Sequence, residues 1–184
     1  MNKQVLVKEV MKANPVIVQP FITVLEAARL MKEKKVDNVI VTEQGHPLGI
    51  VTERDIINKV VCEGKNASDL STEDVMTTPI VVIDPYCSLQ EALKIMGKRN
   101  IQQLPVIENN QLIGIITHHD ISQMSPALSE LDREWSTIEE KDEENVQGQT
   151  FSGKCEDCDG LSTNLKLVDG KLLCEECIAG LKYE

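Results

Sequence analysis

The sequence predicts an α+β protein in which two β-α-β-β-α copies are followed by a small cysteine-rich module. Residues 65 positions apart match repeatedly, for example Met11 with Met76 and Gly49 with Gly114. Each copy alternates apolar strand segments with helix signals, and four cysteines near the end form two C-x-x-C pairs. Because an internal repeat constrains the architecture, one β-α-β-β-α unit is predicted for each copy.

Each copy starts with a short apolar strand after a proline, PVIV in the first and PIVVI in the second. The next helix opens with a capping box, Thr23 with Glu26 and Ser88 with Glu91. In this device the hydroxyl and the carboxylate satisfy backbone N–H groups at the helix N-terminus. The two helix starts are therefore predicted at the same point of each copy.

Two further strands follow in each copy, with turns predicted at Gly45-His46 and Asn109-Asn110, and a final helix completes the unit. A unit of about 60 residues buries little apolar surface alone, so the two copies are expected to pack as a pair. The predicted boundaries are 1–66 and 67–124 for the copies, 125–149 for a helix and linker, and 150–184 for the cysteine module.

Charge and hydropathy exclude several classes of protein. The formal net charge is −11, and residues 1–125 contribute −2 of it, so a basic surface for nucleic acid is absent from the sequence. No apolar run reaches the roughly 20 residues that cross a bilayer, and MNKQVLVKEVMK lacks the features of a signal peptide. We therefore expect a cytoplasmic protein without a membrane partner. A nucleic-acid partner is not expected, although fold analogy leaves such a role open for the cysteine module.

The strings GIVTERD and GIITHHD place a threonine three residues before an aspartate in both copies, Thr52 with Asp55 and Thr117 with Asp120. Such a pair is nearly a capping box and needs no ligand. A carboxylate at a helix N-terminus can also accept hydroxyl groups of a ligand, while the free N–H groups favour phosphate. The residues alone leave both interpretations open.

Residues 5–125 resemble a tandem pair of CBS domains, the Bateman module. The resemblance rests on VM…P near the start of each copy, LPVIENNQLIGIITHHD in the second, and G-h-h-T-x-x-D in both, where h is apolar. The first copy departs from the pattern, since Ile40 stands where the second copy has Pro105. The resemblance implies a regulatory protein that binds an adenosine nucleotide of the AMP, ADP or ATP class in the cleft of the pair, and a homodimer.

The same resemblance implies roles for individual residues. The threonine and aspartate would contact ribose, a cation in the following turn would face phosphate, and residues after the prolines would face adenine. Either His118 or His119 is the cation in the second copy, since adjacent helical residues point about 100° apart. The nucleotide-binding candidates are Thr52, Arg54, Asp55, Thr117, His118, Asp120, Ile17 and Ile80. Weaker candidates are Arg99, Gln102 and Gln103.

After Ser125 an amphipathic helix is predicted, followed by an acidic linker. Leu128, Leu131, Trp135 and Ile138 fall on one helical face, which offers apolar surface to the CBS pair or to a second copy of the chain. The acidic stretch 139–144 and the Gly/Gln/Ser-rich end that follows it indicate a solvated linker.

The final module contains Cys155-x-x-Cys158 and, after fifteen residues, Cys174-x-x-Cys177. This spacing places four thiolates on two turns around a tetrahedral metal, and the segment resembles a zinc ribbon. Disulfides, a redox C-x-x-C and free thiols are the alternatives. Zinc is expected, with iron possible as in rubredoxins because tetrahedral S₄ suits both. Cys62 and Cys87, within the repeats, are expected to be structural thiols.

Three functions follow from this organisation. The first is a nucleotide sensor whose ribbon contacts a protein partner. The second is a metal-centred protein, either a rubredoxin-like electron carrier or a ribbon adaptor, that uses the CBS pair as a dimerisation scaffold. The third is an enzyme, which we do not expect, because the segments account for the chain without a nucleophile and base or an open metal position.

Overall fold

The computed structural model describes residues 5–124 and 149–181. Helices and strands alternate in the order of an α+β protein, which confirms the predicted fold class. A π-helical turn, Ile57–Val61, follows α3. The elements up to that turn are α1 (Val7–Val10), β1 (Lys12–Ala13), β2 (Ile17–Val18), α2 (Val24–Lys34), β3 (Asn38–Glu43), β4 (His46–Thr52) and α3 (Glu53–Ile56).

The second copy and the cysteine module supply the remaining elements. In the second copy these are α4 (Thr72–Val75), β5 (Ile80–Ile83), α5 (Leu89–Arg99), β6 (Gln103–Glu108), β7 (Gln111–Thr117) and α6 (His118–Met124). In the cysteine module they are β8 (Gln149–Lys154), β9 (Leu161–Val168), β10 (Lys171–Leu173) and α7 (Glu175–Leu181). The amphipathic helix and acidic linker predicted after Ser125 lie outside the described residues.

The compact units of the structure do not follow the order of the chain. Described residues before Pro15 join those of 81–124 in one unit, and those of 15–80 join 151–181 in the other. The short segment that precedes each copy in sequence therefore packs with the other copy. The cysteine module packs in the unit that contains the first copy.

In the unit of the second copy, the strand order is β1-β7-β6-β5. β5 is parallel to β6, β6 and β7 form an antiparallel hairpin, and β1 pairs antiparallel with the far edge of β7. Helix α5 buries one apolar face against this sheet, with Leu93, Ile95 and Met96 almost fully inaccessible. The core is aliphatic, as the low aromatic content requires.

In the unit of the first copy, the strand order is β2-β3-β4. β2 is parallel to β3, and β3 and β4 form an antiparallel hairpin. Val39, Val41 and Val51 are inaccessible to solvent and pack with Ala27 and Met31 of α2. The same strand-helix-hairpin arrangement thus recurs in both copies.

Both predicted capping boxes are confirmed. The Thr23 hydroxyl accepts from the Glu26 N–H, and the Glu26 carboxylate accepts from the Thr23 N–H at 2.8 Å. Ser88 and Glu91 make the same pair of hydrogen bonds. Each box satisfies two backbone donors that the first turn of a helix leaves unpaired.

The two hairpin turns are located as predicted in the second copy but not in the first. Asn109 and Asn110 both have positive φ, as a type I′ turn requires. In the first copy the corresponding residues are Gln44 and Gly45, and His46 is already the first residue of β4. The predicted turn at Gly45-His46 was therefore one residue late, because the turn needs Gly45 at its second central position.

The cysteine module is a three-stranded antiparallel sheet in the order β8-β9-β10, closed by α7. Asp169 and Gly170, both at positive φ, form the turn between β9 and β10. Its buried cluster has three members, Cys155, Leu165 and Leu173. This core is small, so the module depends on the cysteines as much as on apolar packing.

Among the helices within 5–124 and 149–181, none is long and apolar enough to span a bilayer.

Candidate functional site

The repeated glycine of each copy is covered by the repeated methionine of the segment that precedes the other copy. A Cβ at Gly114 would lie 2.7 Å from the Met11 sulfur and 2.9 Å from the Lys12 carbonyl oxygen. A Cβ at Gly49 would lie 2.7 Å from the Met76 sulfur. Real Cβ atoms do not approach other atoms this closely, so a side chain at either glycine would force the neighbouring segment to move. The repeated glycine and the repeated methionine are therefore contact partners.

In the second copy, Asp120 lies at the junction of β7 and α6. Its Oδ2 accepts from the Thr117 N–H at 3.1 Å and from the Thr117 hydroxyl at 2.6 Å, and its own N–H donates to that hydroxyl oxygen. The other oxygen, Oδ1, lies 2.8 Å from the Lys12 Nζ. The Asp120 side chain is 10% exposed and that of Lys12 is 65% exposed.

In the first copy, Asp55 lies at the junction of β4 and α3 and makes the same contacts with Thr52, again with a hydroxyl distance of 2.6 Å. Its Oδ1 accepts from the Thr77 hydroxyl at 2.8 Å and lies 2.9 Å from the Lys59 Nζ. The Lys59 ammonium also donates to the carbonyl oxygens of Val75 at 2.7 Å and Met76 at 3.2 Å.

The pKa values of both aspartates are lowered. Burial raises the pKa of Asp120, but hydrogen bonds from Lys12 and Thr117 lower it further than burial raises it. Burial also raises the pKa of Asp55, and the hydrogen bonds from Thr52, Lys59 and Thr77 again outweigh it. Both side chains are therefore stabilised as carboxylates, the form that accepts hydroxyl groups.

Each aspartate has one lysine partner, but the lysines come from different positions of the repeat. Lys12 aligns with Thr77, 65 residues on, and Lys59 aligns with Met124. The charge partner of Asp120 is thus in the preceding segment, whereas that of Asp55 is one helical turn along the same helical segment. Sequence analysis missed Lys12, Lys59 and Thr77. A signal was present, because at each of these two aligned positions one copy has lysine and the other has an uncharged residue.

The cationic candidates for phosphate lie near these junctions. Arg54 is exposed on α3. His118 is half-buried, its N–H donates to the Gln102 carbonyl oxygen, and its Nδ1 lies 3.4 Å from the Ser122 hydroxyl. His119 is exposed beside Gln123. The structure separates the two histidines as the 100° helical rotation requires, with His118 on the more buried side.

The two adenine candidates differ in exposure. Ile17, in β2, is 55% exposed, whereas Ile80, at the start of β5, is 3% exposed. Ile17 therefore has free apolar surface, and Ile80 is a core residue. Cys62 and Cys87 also differ, since Cys87 is half-buried and Cys62 is exposed.

Gln103, one of the weaker candidates, lies directly opposite Thr117 in the β6–β7 hairpin. Its Oε1 is buried and has no hydrogen-bond donor among the described residues. The aligned residue of the first copy is Asn38, whose side-chain amide donates to Asp37 at 2.7 Å. Arg99 ends α5, and Gln102 contributes its backbone carbonyl to the start of α6.

The four cysteines of the C-terminal module converge on one point. The Sγ atoms of Cys155, Cys158, Cys174 and Cys177 all lie within 4.8 Å of one another. The Cys158 and Cys174 sulfurs are 3.8 Å apart. Four thiolates about 2.3 Å from a tetrahedral zinc are separated by about 3.8 Å, so the donor set and its spacing fit a structural metal ion.

Backbone donors also prepare this centre. The Cys174 N–H lies 3.3 Å from the Cys155 sulfur. Burial raises the pKa of Cys155, but backbone hydrogen bonds from Cys158, Cys174 and Asp157 bring it down to about 6. A thiolate is the form that binds metal, so these donors favour the ligand state at Cys155, whereas hydrogen bonds with Asp157 and Cys174 raise the pKa of Cys177.

The module is docked on the first copy within their common unit. Ser152 is fully buried and its hydroxyl donates to the Pro47 carbonyl oxygen at 2.5 Å. Lys154 lies 3.7 Å from Glu73, and the backbone at Gly153 approaches Pro79. The cysteine ribbon thus contacts both the β3–β4 hairpin and the segment that carries Thr77.

Paired strand-helix-hairpin copies with this junction motif define a tandem CBS pair. The CBS domain family model matches the chain twice, over residues 7–62 and 72–125. The chain therefore belongs to the CBS-domain family, with a C-terminal four-cysteine cluster added to the pair.

Similar proteins share this arrangement to different extents. MK0525 of Methanopyrus kandleri is 35% identical over 179 residues, which cover 95% of this chain and 91% of the relative. The likeness to that protein therefore extends beyond the CBS repeats into the cysteine module.

Solved structures that resemble the CBS pair include two CBS proteins. A hexameric CBS-CP12 protein from bloom-forming cyanobacteria has a TM-score of 0.64 and 32% identity, covering 70% of this chain and 77% of its own. The CBS domain pair of MJ0100, in complex with methylthioadenosine and S-adenosyl-L-methionine, has a TM-score of 0.61 and 25% identity, covering 66% of this chain and 96% of its own.

Proposed function

We propose that this protein is a regulatory sensor that binds an adenosine nucleotide of the AMP, ADP or ATP class through its Thr-x-x-Asp junctions. The observation that carries the proposal is Asp120, a carboxylate with one oxygen anchored to Thr117 and the other beside the exposed Lys12. A carboxylate next to an exposed cation suits a ribose carrying a phosphate. The adenosine ligands of the similar MJ0100 pair support the ligand class.

Thermal unfolding with AMP, ADP, ATP and GTP tests this function. A ligand at a hundredfold excess over its Kd stabilises the folded state by about 2.7 kcal/mol, which raises the Tm by a few degrees in a domain of this size. We expect a shift with at least one adenosine nucleotide and a smaller one with GTP. If none of AMP, ADP and ATP shifts the Tm, the proposal is wrong.

Two variants separate binding from helix capping. Asp120→Ala removes both the cap of α6 and the proposed ribose acceptor, so it should lower the ligand-free Tm and abolish most of the nucleotide shift. Glu91→Ala is the matched control, because it breaks a capping box of the same form at the start of α5. It should lower the ligand-free Tm and leave the nucleotide shift in place.

The ribbon is proposed to hold one zinc ion per chain and to contact a protein partner. Zinc supplies a redox-inert tetrahedral centre that fixes the two knuckles, and the four cysteine thiolates are its ligands. Metal analysis of protein purified without chelator should give about one equivalent of zinc. Visible absorbance of a ferric thiolate would instead favour the rubredoxin-like electron carrier.

A homodimer is proposed as the working assembly. Ile57 and Val61, four residues apart on the last helical turns of the first copy, are 53% and 66% exposed, so an apolar surface is available. The hexameric CBS-CP12 protein shows that a similar pair assembles. Light scattering should give a dimer mass, and Ile57→Lys with Val61→Lys should reduce it if this surface forms the interface. A monomer at tens of micromolar would contradict the proposal.

A further inference from the structure

The two aspartates differ in how many of their acceptor positions the protein fills. A carboxylate offers about four lone-pair positions. Asp55 accepts from the Thr52 N–H, the Thr52 hydroxyl, the Thr77 hydroxyl and the Lys59 ammonium. Asp120 accepts from the Thr117 N–H, the Thr117 hydroxyl and the Lys12 ammonium within the described part of the chain. One position of Asp120 therefore remains for a ligand hydroxyl.

The two lysines also differ in what a ligand would have to displace. Lys59 is 40% exposed and lies within hydrogen-bond distance of Asp55, two backbone carbonyls and the Thr77 hydroxyl at 3.4 Å. Moving it would break all of these contacts at once. Lys12 is 65% exposed, and Asp120 is its ion-pair partner. Lys12 can turn from the carboxylate to a phosphate at little cost.

Gln103 gives independent support for the same asymmetry. Its buried Oε1 lacks a donor in the described structure, and the residue faces Thr117 across the hairpin. A buried acceptor without a donor is costly, and a ligand that donates a hydroxyl or amino hydrogen would satisfy it. In the first copy, the aligned Asn38 has no buried side-chain atom that lacks a partner among the described residues, and its amide donates to Asp37.

Resting on the proposed function, we infer that the second copy takes the nucleotide and that the first copy is held closed by Lys59 and Thr77. Asp120 and Gln103 accept hydrogens from the nucleoside, and Lys12 moves to the phosphate. The chain binds one nucleotide. Lys59 is thus the residue that determines which of two similar junctions is used.

Isothermal titration of the full chain with AMP and with adenosine tests this inference. Wild type should bind one AMP per chain. Asp120→Asn should weaken AMP by about tenfold or more, because the ribose loses its charged acceptor. Asp55→Asn should change AMP affinity by less than about threefold, because the first copy is not used. Two AMP per wild-type chain, or loss of binding in Asp55→Asn alone, would overturn the inference while leaving the sensor function intact.

Lys12→Met keeps the Thr117–Asp120 cap and removes the proposed phosphate partner together with the ion pair to Asp120. It should weaken AMP binding by about tenfold while changing the affinity for adenosine by less than about threefold. A loss of stability would not produce this difference between the two ligands. Equal weakening of both ligands would contradict the role of Lys12.

The reciprocal experiment opens the first copy. Lys59→Met combined with Thr77→Lys gives Asp55 the partners found around Asp120, with Met124 and Lys12 as the models. This double variant should bind two AMP per chain, and a stoichiometry that stays at one would refute the role of Lys59. If neither wild type nor any variant binds AMP, ADP or ATP, the proposed function itself fails.

Discussion

The cysteine ribbon and the first CBS copy belong to one compact unit but are stabilised by different means. In the unit of the first copy, one buried apolar cluster of nine residues packs around α2 and the β2-β3-β4 sheet. The ribbon has three, one of which is the metal-ligand candidate Cys155. A segment of about 35 residues is not expected to fold on so small a core, so we expect metal binding to supply its folding free energy.

This difference predicts that the fold of the ribbon depends on metal, whereas the surface of the first copy that it contacts does not. We expect the ribbon to form only when its thiolates hold metal, whereas the hairpin and the segment that it contacts pack with a hydrophobic core that contains no cysteine of the cluster. Ser152 and Lys154 join the ribbon to the first copy and the segment that packs with it, through Pro47 and Glu73. The contacts on Pro47 and Glu73 should therefore respond to metal, while the apolar core should not.

Removal of the metal is the largest perturbation expected. Structural zinc contributes about 10–16 kcal/mol to small metal-dependent folds. After chelation, hydrogen exchange should show complete loss of protection in β8, β9, β10 and α7, with α2 and α5 still protected. Cys158→Ser should reproduce this pattern, and Cys62→Ser, an exposed thiol outside the cluster, should not. Protected ribbon amides in metal-free protein would contradict the comparison.

Alanine at the buried repeat glycines is the next largest effect. Gly49→Ala and Gly114→Ala each place a Cβ 2.9 Å from a backbone carbonyl oxygen, so each should cost about 3 kcal/mol by overpacking. Gly180 in α7 is the ribbon control, because its Cβ would meet no atom within 4 Å. Gly180→Ala should be neutral or stabilising by up to about 1 kcal/mol, since alanine favours helix. Denaturant unfolding of metal-loaded protein measures all three.

The docking hydroxyl has a smaller predicted effect. Ser152→Ala leaves the buried Pro47 carbonyl without its donor, which should cost about 1–2 kcal/mol. The expected changes are faster amide hydrogen exchange in the β3–β4 hairpin and a lower unfolding midpoint for the unit that contains the first copy. Lys154→Met is the control, because the half-exposed 3.7 Å pair with Glu73 should contribute less than about 1 kcal/mol. An equal effect of the two variants would mean that the docking is electrostatic.

The parts that the sequence predicted are those with local or repeated signals. Thr23 with Glu26, Ser88 with Glu91 and the Thr-x-x-Asp junctions all act over three residues, so their hydrogen bonds can be inferred without a fold. The four cysteines were predicted to converge because their C-x-x-C spacing specifies two turns that face one ion.

The parts that the sequence did not predict depend on contacts between distant segments. The Ser152–Pro47 hydrogen bond joins residues 105 positions apart, and no local pattern marks it. Lys12 reaches Asp120 only because the first segment packs with the second copy. Each compact unit therefore contains the segment that precedes the other copy in sequence. The predicted domain boundaries at 66 and 124 divide the chain by its repeat, and they remain predictions.

The loss of stability in acid is the smallest predicted effect. The ribbon and the repeats should respond to acid at different pH values. The pKa values of Asp55 and Asp120 are lowered in the folded state, by hydrogen bonds that outweigh burial. Their contribution is therefore complete above the unfolded value of about 4 and is lost as pH falls through the folded pKa. Metal thiolates must be deprotonated, so metal release should begin at higher pH than this loss.

Circular dichroism melts and metal release measured between pH 7 and 3 on the same samples should therefore show two separate changes. Lys59→Met and Lys12→Met each remove one hydrogen bond that lowers an aspartate pKa, so the acid-dependent fall in Tm should become shallower in both variants while metal release keeps its wild-type pH. If metal release and the fall in Tm coincided at every pH, and moved together in the lysine variants, the ribbon and the repeats would form one cooperative unit. The contrast between a metal-dependent ribbon and a metal-independent core would then be wrong.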